Sequence, residues 1–157
     1  MGRAVQFGAW VSAEWETMRT LYEAHADVPA PISRTDNCIL MTHVGDEEES
    51  APVLANVSLE RDEAEATLRR IMKNVELFLA NDLVHADLSA FNILCWDGVP
   101  TIIDLPQAVD ARTNPNALML LERDLRNVYK YFSRYGVAAD PARIANDLWR
   151  MYKRGRL

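Results

Sequence analysis

Asp97-Gly98 stands between two short apolar runs, Ile93-Leu-Cys-Trp96 and Thr101-Ile-Ile-Asp104, and no other stretch restricts the fold of this chain as sharply. Asp-Gly readily takes the φ > 0 conformations that a two-residue reversal demands, so the runs are predicted to pair as an antiparallel β-hairpin. In such a hairpin the start of the first strand and the end of the second lie side by side. Asn92 and Asp104, twelve positions apart, are thereby brought together.

Around the hairpin the periodicity is helical. Ala64, Leu68, Ile71, Met72, Val75, Phe78 and Leu79 recur at three- and four-residue steps, which predicts an amphipathic helix between Glu60 and Asn81. Trp10, Glu14, Met18, Leu21 and Tyr22 predict another from Ala9 to about Ala26, stopped by the extended link Val28-Pro-Ala-Pro31. Cys38 to Val44 is read as a buried strand that turns at Gly45, and Asp46 to Ser50 as an acidic loop. A third helix is predicted over Pro115 to Tyr135 with Gly136 as its stop, and a fourth from Asp140-Pro141, an N-cap followed by proline. The order helix, strand, helix, hairpin, helix, helix defines an α+β chain that is mostly helical. Its 157 residues suit a single domain, 1–157, with a real core.

The formal charge of −6 argues against a broad attraction to nucleic acid or anionic lipid. Arg123, Arg126, Lys130 and Arg134 do recur at near-helical spacing, and are read as a solvated helix face. Cys38 and Cys95 stand singly in apolar runs without a CxxC pair, which fits buried reduced thiols and a cytoplasmic protein. No run approaches the ~20 apolar residues that a membrane span requires.

The chemistry is concentrated in His85-Ala-Asp87-Leu-Ser-Ala-Phe-Asn92 and, past the hairpin, Asp104. Phosphoryl transfer needs a carboxylate to take or orient the proton of the attacking hydroxyl, and oxygen ligands for the cation that neutralises the phosphates. Asp87 in the loop before the hairpin supplies the first, and Asn92 with Asp104 the second. A lone His-x-Asp more often caps a turn; the asparagine, the hairpin and the second aspartate make the pattern specific. It matches the kinase order of a catalytic loop His-x-Asp-x-x-x-x-Asn followed by Asp on the next strand. Ala86 replaces the usual arginine of that loop and Leu105-Pro106 the usual Phe-Gly.

With Leu88-Ser89 after the loop aspartate and Leu105-Pro-Gln107-Ala-Val109 after Asp104, the segment resembles the RIO family of atypical protein kinases. Trp10-Val-Ser-Ala-Glu14-Trp15 resembles the family's regulatory helix, Ile39-Leu-Met41-Thr-His-Val-Gly45 its gatekeeper and hinge, and Arg123-Asp124-Leu-Arg-Asn127-Val128 the helix after its metal loop. The resemblance runs from Trp10 to about Val137. It implies a protein-kinase-like C-terminal lobe using ATP with magnesium or manganese. Asp87 would be the catalytic acid/base, with His85 in its loop orienting it; Asn92 and Asp104 would bind metal. Met41, Thr42, His43 and Val44 would meet adenine, and Glu14 would be the helix glutamate. Its substrate would be a protein serine or, by self-phosphorylation, Asp104. No glycine-rich loop and no lysine precede Glu14; Lys73, Lys130 and Lys153 all follow it. The resemblance therefore implies that a missing N-lobe comes from elsewhere or that a homodimer partner completes the cleft; ribosomal association follows only by family analogy. Two alternatives stand beside this reading: a small-molecule phosphotransferase of the aminoglycoside or choline kinase type, and a non-catalytic pseudokinase that binds a partner.

Overall fold

Helix α2 (Arg61–Ala80) organises the core, because Ala64, Leu68, Ile71, Val75, Phe78 and Leu79 form one continuous buried stripe along it. Burial of each large apolar side chain contributes roughly 1.5–3 kcal/mol. The helix starts where a capping box forms: the Glu63 carboxylate accepts the Glu60 N–H at 2.9 Å, meeting a donor that would otherwise be orphaned. The computed structural model describes the backbone of residues 2–157 and the side chains of residues 10–157.

Helix α3 (Ala117–Phe132) buries Leu121, Leu125, Val128 and Phe132 by the same spacing, tightens into a 3-10 turn at Ser133–Tyr135, and stops at Gly136, whose φ is 79°. Helix α4 (Pro141–Lys153) begins at an Asp140 cap that accepts the Arg143 N–H at 3.1 Å, and lays Ala145 and Leu148 against the core beside α3. These three helices agree with the sequence reading.

Helix α1 spans Gly2–Glu23, so its backbone begins before the expected Ala9, a residue whose side chain lies outside the described part. Met18 and Leu21 point inward, but Trp10 is 63 % exposed and Tyr22 48 %. The expected apolar face therefore splits: Tyr22 is rotated one residue away from Leu21, onto the open side.

The link after α1 also differs. Strand β1 (Pro31–Arg34) pairs antiparallel with β2 (Ile39–Met41), aligning Pro31 with Met41 and Arg34 with Ile39. The strand predicted from Cys38 to Val44 is thus three residues long and half exposed. Ile39 and Met41 pack against the core while Leu40 and Cys38 face solvent, as alternation in a ribbon with one covered face requires. Of the two thiols expected to be buried, only that of Cys95 is.

The hairpin forms between β4 (Ile93–Trp96) and β5 (Val99–Ile102), with Trp96 opposite Val99 and Ile93 opposite Ile102. Asp97 and Gly98 have φ of 48° and 74°, the two positive values that a type I′ turn needs. Pro100 is tolerated opposite Cys95 because the Cys95 N–H turns away from β5, to the Pro52 carbonyl at 2.9 Å. The second strand ends at Ile102, two residues before Asp104, where the expectation had put its end. A short pair, β3 (Leu83–Val84) with β6 (Val109–Asp110), frames the loops on either side of the hairpin.

Candidate active site

Strand β3 delivers the chain into His85-Ala86-Asp87-Leu88 with Ala86 at φ 64°. That left-handed conformation costs an alanine roughly 1–2 kcal/mol. Helix α3 offsets it through Asp124, only 2 % exposed, whose Oδ2 accepts the Ala86 N–H at 2.8 Å and whose Oδ1 accepts the Leu88 N–H at 2.9 Å. Arg123 donates to the Ala86 carbonyl, and Asn127 Nδ2 to the Leu88 carbonyl at 3.3 Å. The backbone is gripped on both sides of Asp87, and the Asp87 side chain is left at the surface. Burial pushes Asp124 up to about 7, against the opposing pull of the two N–H donors and Arg123.

His85 is 3 % exposed and stacked on Phe78 with ring centroids 6.1 Å apart. Its Nδ1 accepts the Asp87 N–H at 3.3 Å, which leaves Nε2 to donate to the Ile103 carbonyl at 3.0 Å. Burial lowers its pKa, against the pull of the Ile103 carbonyl, Asp87 and Asp104. A buried neutral ring with both nitrogens occupied ties the loop to the end of the hairpin, so His85 acts here by positioning.

Asn92 sits one residue before β4. Its Nδ2 donates to the Asp87 carbonyl at 2.8 Å and to Asp87 Oδ2 at 3.3 Å, and its own carbonyl accepts the Ile103 N–H at 3.0 Å. The next residue, Asp104, is exposed at φ 65° and its carboxylate has no hydrogen-bond partner among the described residues. Asp87 and Asp104 both act on the His85 ring, and Asp104 also acts on Glu14. Asp87, Asn92 and Asp104 thus meet at the open end of the hairpin. Glu14 reaches the same end from α1, partly buried, without an ion pair among the described residues; burial and then Asp104 raise its pKa.

Met41 closes β2 against the core. The Thr42 N–H donates to the Ala30 carbonyl at 2.9 Å, His43 Nε2 lies 3.0 Å from Ser50 Oγ, and the Val44 carbonyl accepts the Ala51 N–H at 2.8 Å. The Thr42 carbonyl and the Val44 N–H have no protein partner among the described residues. Gly45, at φ 138°, is required, because a Cβ there would stand 2.2 Å from the Glu49 carbonyl oxygen.

The donor set suits a hard divalent cation. Asn92 spends its amide nitrogen on Asp87 and so keeps Oδ1 open, while its backbone carbonyl holds the residue before Asp104; magnesium takes one or two such side-chain oxygens, completing its shell with water and phosphate. Although Asp87, Asp104 and Glu14 share this end of the molecule, no three His, Cys, Asp or Glu side chains among the described residues are close enough to hold one ion together.

Of the residues that the sequence grouped, Asp87 and Asn92 are hydrogen-bonded and Asp104 follows the residue held by the Asn92 carbonyl; Asp124 and Asn127 were given no role, and Arg123, read as part of a solvated face, instead donates to the Ala86 carbonyl. The signal was present: Asp124 falls in the stripe Leu121, Leu125, Val128, where a charge is out of place. Asp27 was missed too. Arg70 binds its carboxylate with two bonds of 2.8 Å, Asn74 brackets it, and its carbonyl accepts the Ile102 N–H at 2.7 Å, so it locks the link after α1 to both α2 and the hairpin.

A mostly helical body, a loop aspartate, and an asparagine and aspartate joined by a hairpin define a protein-kinase-like C-terminal lobe. A family model for the RIO domain matches residues 3–144, and the chain belongs to that family. It is 36 % identical over 135 residues to the RIO-type serine/threonine-protein kinase Rio1 of Thermoplasma acidophilum, covering 86 % of this chain and 69 % of that protein. It is 37 % identical over 133 residues to the Rio1 kinase of Haloferax volcanii, covering 84 % of this chain and 44 % of that one. Against the human serine/threonine-protein kinase RIO1 the identity is 35 % over 130 residues, 82 % of this chain but 23 % of the relative. The match therefore spans about two thirds of the first of these relatives and less than half of the other two. No described helix is long and apolar enough to cross a membrane.

Proposed function

We propose that this chain carries the phosphoryl-transfer machinery of an ATP-dependent serine/threonine protein kinase. The observation that carries the reading is the meeting of Asp87, Asn92 and Asp104 at one end of the hairpin, two oxygen donors beside an exposed carboxylate. Asp104 and Asn92 Oδ1 would hold magnesium or manganese, whose charge neutralises the phosphates when bound. Asp87 accepts or orients the proton of a protein hydroxyl, and the Asn92 N–H with the Asp124 and His85 contacts keeps it aimed. The open Thr42 carbonyl and Val44 N–H suit the hydrogen-bonding edge of adenine, with Met41 just before that pair and His43 between its two members. Glu14, partly buried and without an ion pair among the described residues, could take a lysine from another segment or from a second subunit. The unpaired Cys38 and Cys95 support a reducing, cytoplasmic setting.

The test is a thermal melt with ATP and Mg2+, followed by release of phosphate and transfer to a serine protein. Wild type should be stabilised by the nucleotide only when metal is present. Asp104→Asn should lose that stabilisation, and Asp87→Asn should keep it while losing transfer. No stabilisation of the wild-type chain by ATP with metal would overturn the reading.

A further inference from the structure

Beside the catalytic loop an open groove of about 450 Å³ runs between Asp87 and the C-terminal part of α3. Ser89 and Phe91 line its loop side; Lys130, the buried Tyr131 and Arg134 line the other. Phe91 is 69 % exposed, an apolar ring turned to solvent next to the loop aspartate. Lys130 and Arg134 are exposed four residues apart, on one face of α3 and its 3-10 extension, and neither makes an ion pair among the described residues. Arg126, one turn earlier, is tied to Glu122. The Arg134 guanidinium is held over the Tyr131 ring, 4.4 Å from its centroid, so it is steered into the groove wall.

Several other described cations, Lys73 and Lys153 among them, also lack an ion pair, but Lys130 and Arg134 are the ones that line a groove beside the loop aspartate. Among the described residues, the only acidic one lining the groove is Asp87, and its oxygen is engaged by Asn92. The two positive charges are thus met by no carboxylate among the described residues.

We infer that this groove receives the acceptor segment of the protein substrate, and that Lys130 and Arg134 select segments with acidic residues flanking the hydroxyl. The inference rests on the phosphoryl-transfer reading, which places the hydroxyl at Asp87. Phe91 offers the apolar contact that seats such a segment, and the two cations supply its charge preference.

Fluorescence anisotropy on the whole chain with ADP and Mg2+ tests this, using labelled peptides with one serine flanked by glutamates or by glutamines. The glutamate peptide should bind about tenfold more tightly at low salt, the sum expected of two exposed ion pairs, with the preference shrinking as salt rises. Lys130→Ala with Arg134→Ala should abolish the preference, and Lys130→Glu with Arg134→Glu should turn it toward lysine-flanked peptides. ADP affinity and melting temperature should be unchanged in both. Equal binding of the two peptides by a wild-type chain that binds ADP would overturn the inference, as would displacement of the glutamate peptide by a short single-stranded RNA that binds more tightly. If wild type fails to bind ADP, the phosphoryl-transfer reading falls instead, and the peptide comparison without nucleotide still decides the groove.

Discussion

The Asp124 carboxylate accepts the Ala86 N–H at 2.8 Å from within the core, and with its second oxygen it holds Leu88 as well. One buried side chain thereby fixes the backbone before and after the loop aspartate. Asp124→Asn keeps the shape but presents an NH2 group to one of the two N–H donors, leaving it unmet in the interior. A cost of about 2–4 kcal/mol is expected, because a broken buried charged contact strands its partner. Urea unfolding of the variant measures it; a midpoint indistinguishable from wild type would show that α3 does not support the loop.

The hairpin and three of the four helices were legible because their signals are local: Asp97-Gly98 allows one kind of turn, and the stripes of α2, α3 and α4 repeat over several turns. Asp104 was placed next to Asn92 on the right grounds but given strand geometry, whereas the strand stops at Ile102 and Asp104 takes φ 65°. Pairing of β1 with β2 and of β3 with β6 was not legible, since runs of two to four residues carry no readable period. Asp124 and Asn74 were hidden differently. Each occupies a core-facing helical position, and only tertiary contact reveals which backbone it satisfies.

His85 makes stability depend on pH. Burial depresses its folded pKa below the unfolded value near 6.5, so between those two values the unfolded chain binds the extra proton. Its contribution is fully present above about pH 6.5 and is lost as pH falls toward the folded pKa. Asp124, pushed up to about 7, has the opposite sign, contributing more as pH falls from 7 toward the unfolded carboxylate range. The two are separated by comparing wild type with His85→Gln across pH 5 to 8. The variant should be less stable throughout, and the gap should narrow on acidification; a gap independent of pH would mean that the ring is not held neutral.

Asp27 and Arg70 set a second acid dependence. Burial pushes Asp27 up, but the Arg70 guanidinium and the Asn74 amide together outweigh it and hold the carboxyl below the usual range. Its stabilisation is present above the unfolded value near 3.9 and is lost as pH falls through the folded pKa. Asp27→Ala should cost about 1–3 kcal/mol near neutral pH, since it removes both Arg70 bonds and one of the two acceptors of the Asn74 amide at once. Arg70→Ala should cost about 1 kcal/mol or less, because the Arg70 side chain is 47 % exposed and water screens the pair. Denaturant melts of both variants test the order; a larger loss for Arg70→Ala would contradict it.

Asn92 has two duties, and a single substitution pulls them apart. Its Nδ2 holds the Asp87 carbonyl and carboxylate while Oδ1 has no protein partner among the described residues. Asn92→Asp keeps an oxygen for the cation and adds charge, so the metal requirement for nucleotide binding should persist and the metal should bind at least as tightly. It removes the donor to Asp87 and sets a like charge against it, which should turn the Asp87 carboxylate out of its position. Phosphoryl transfer should therefore fall by roughly 100-fold, the scale of a lost general acid or base, with little change in the nucleotide concentration required. Parallel loss of nucleotide binding and transfer would mean instead that Asn92 serves the cation alone.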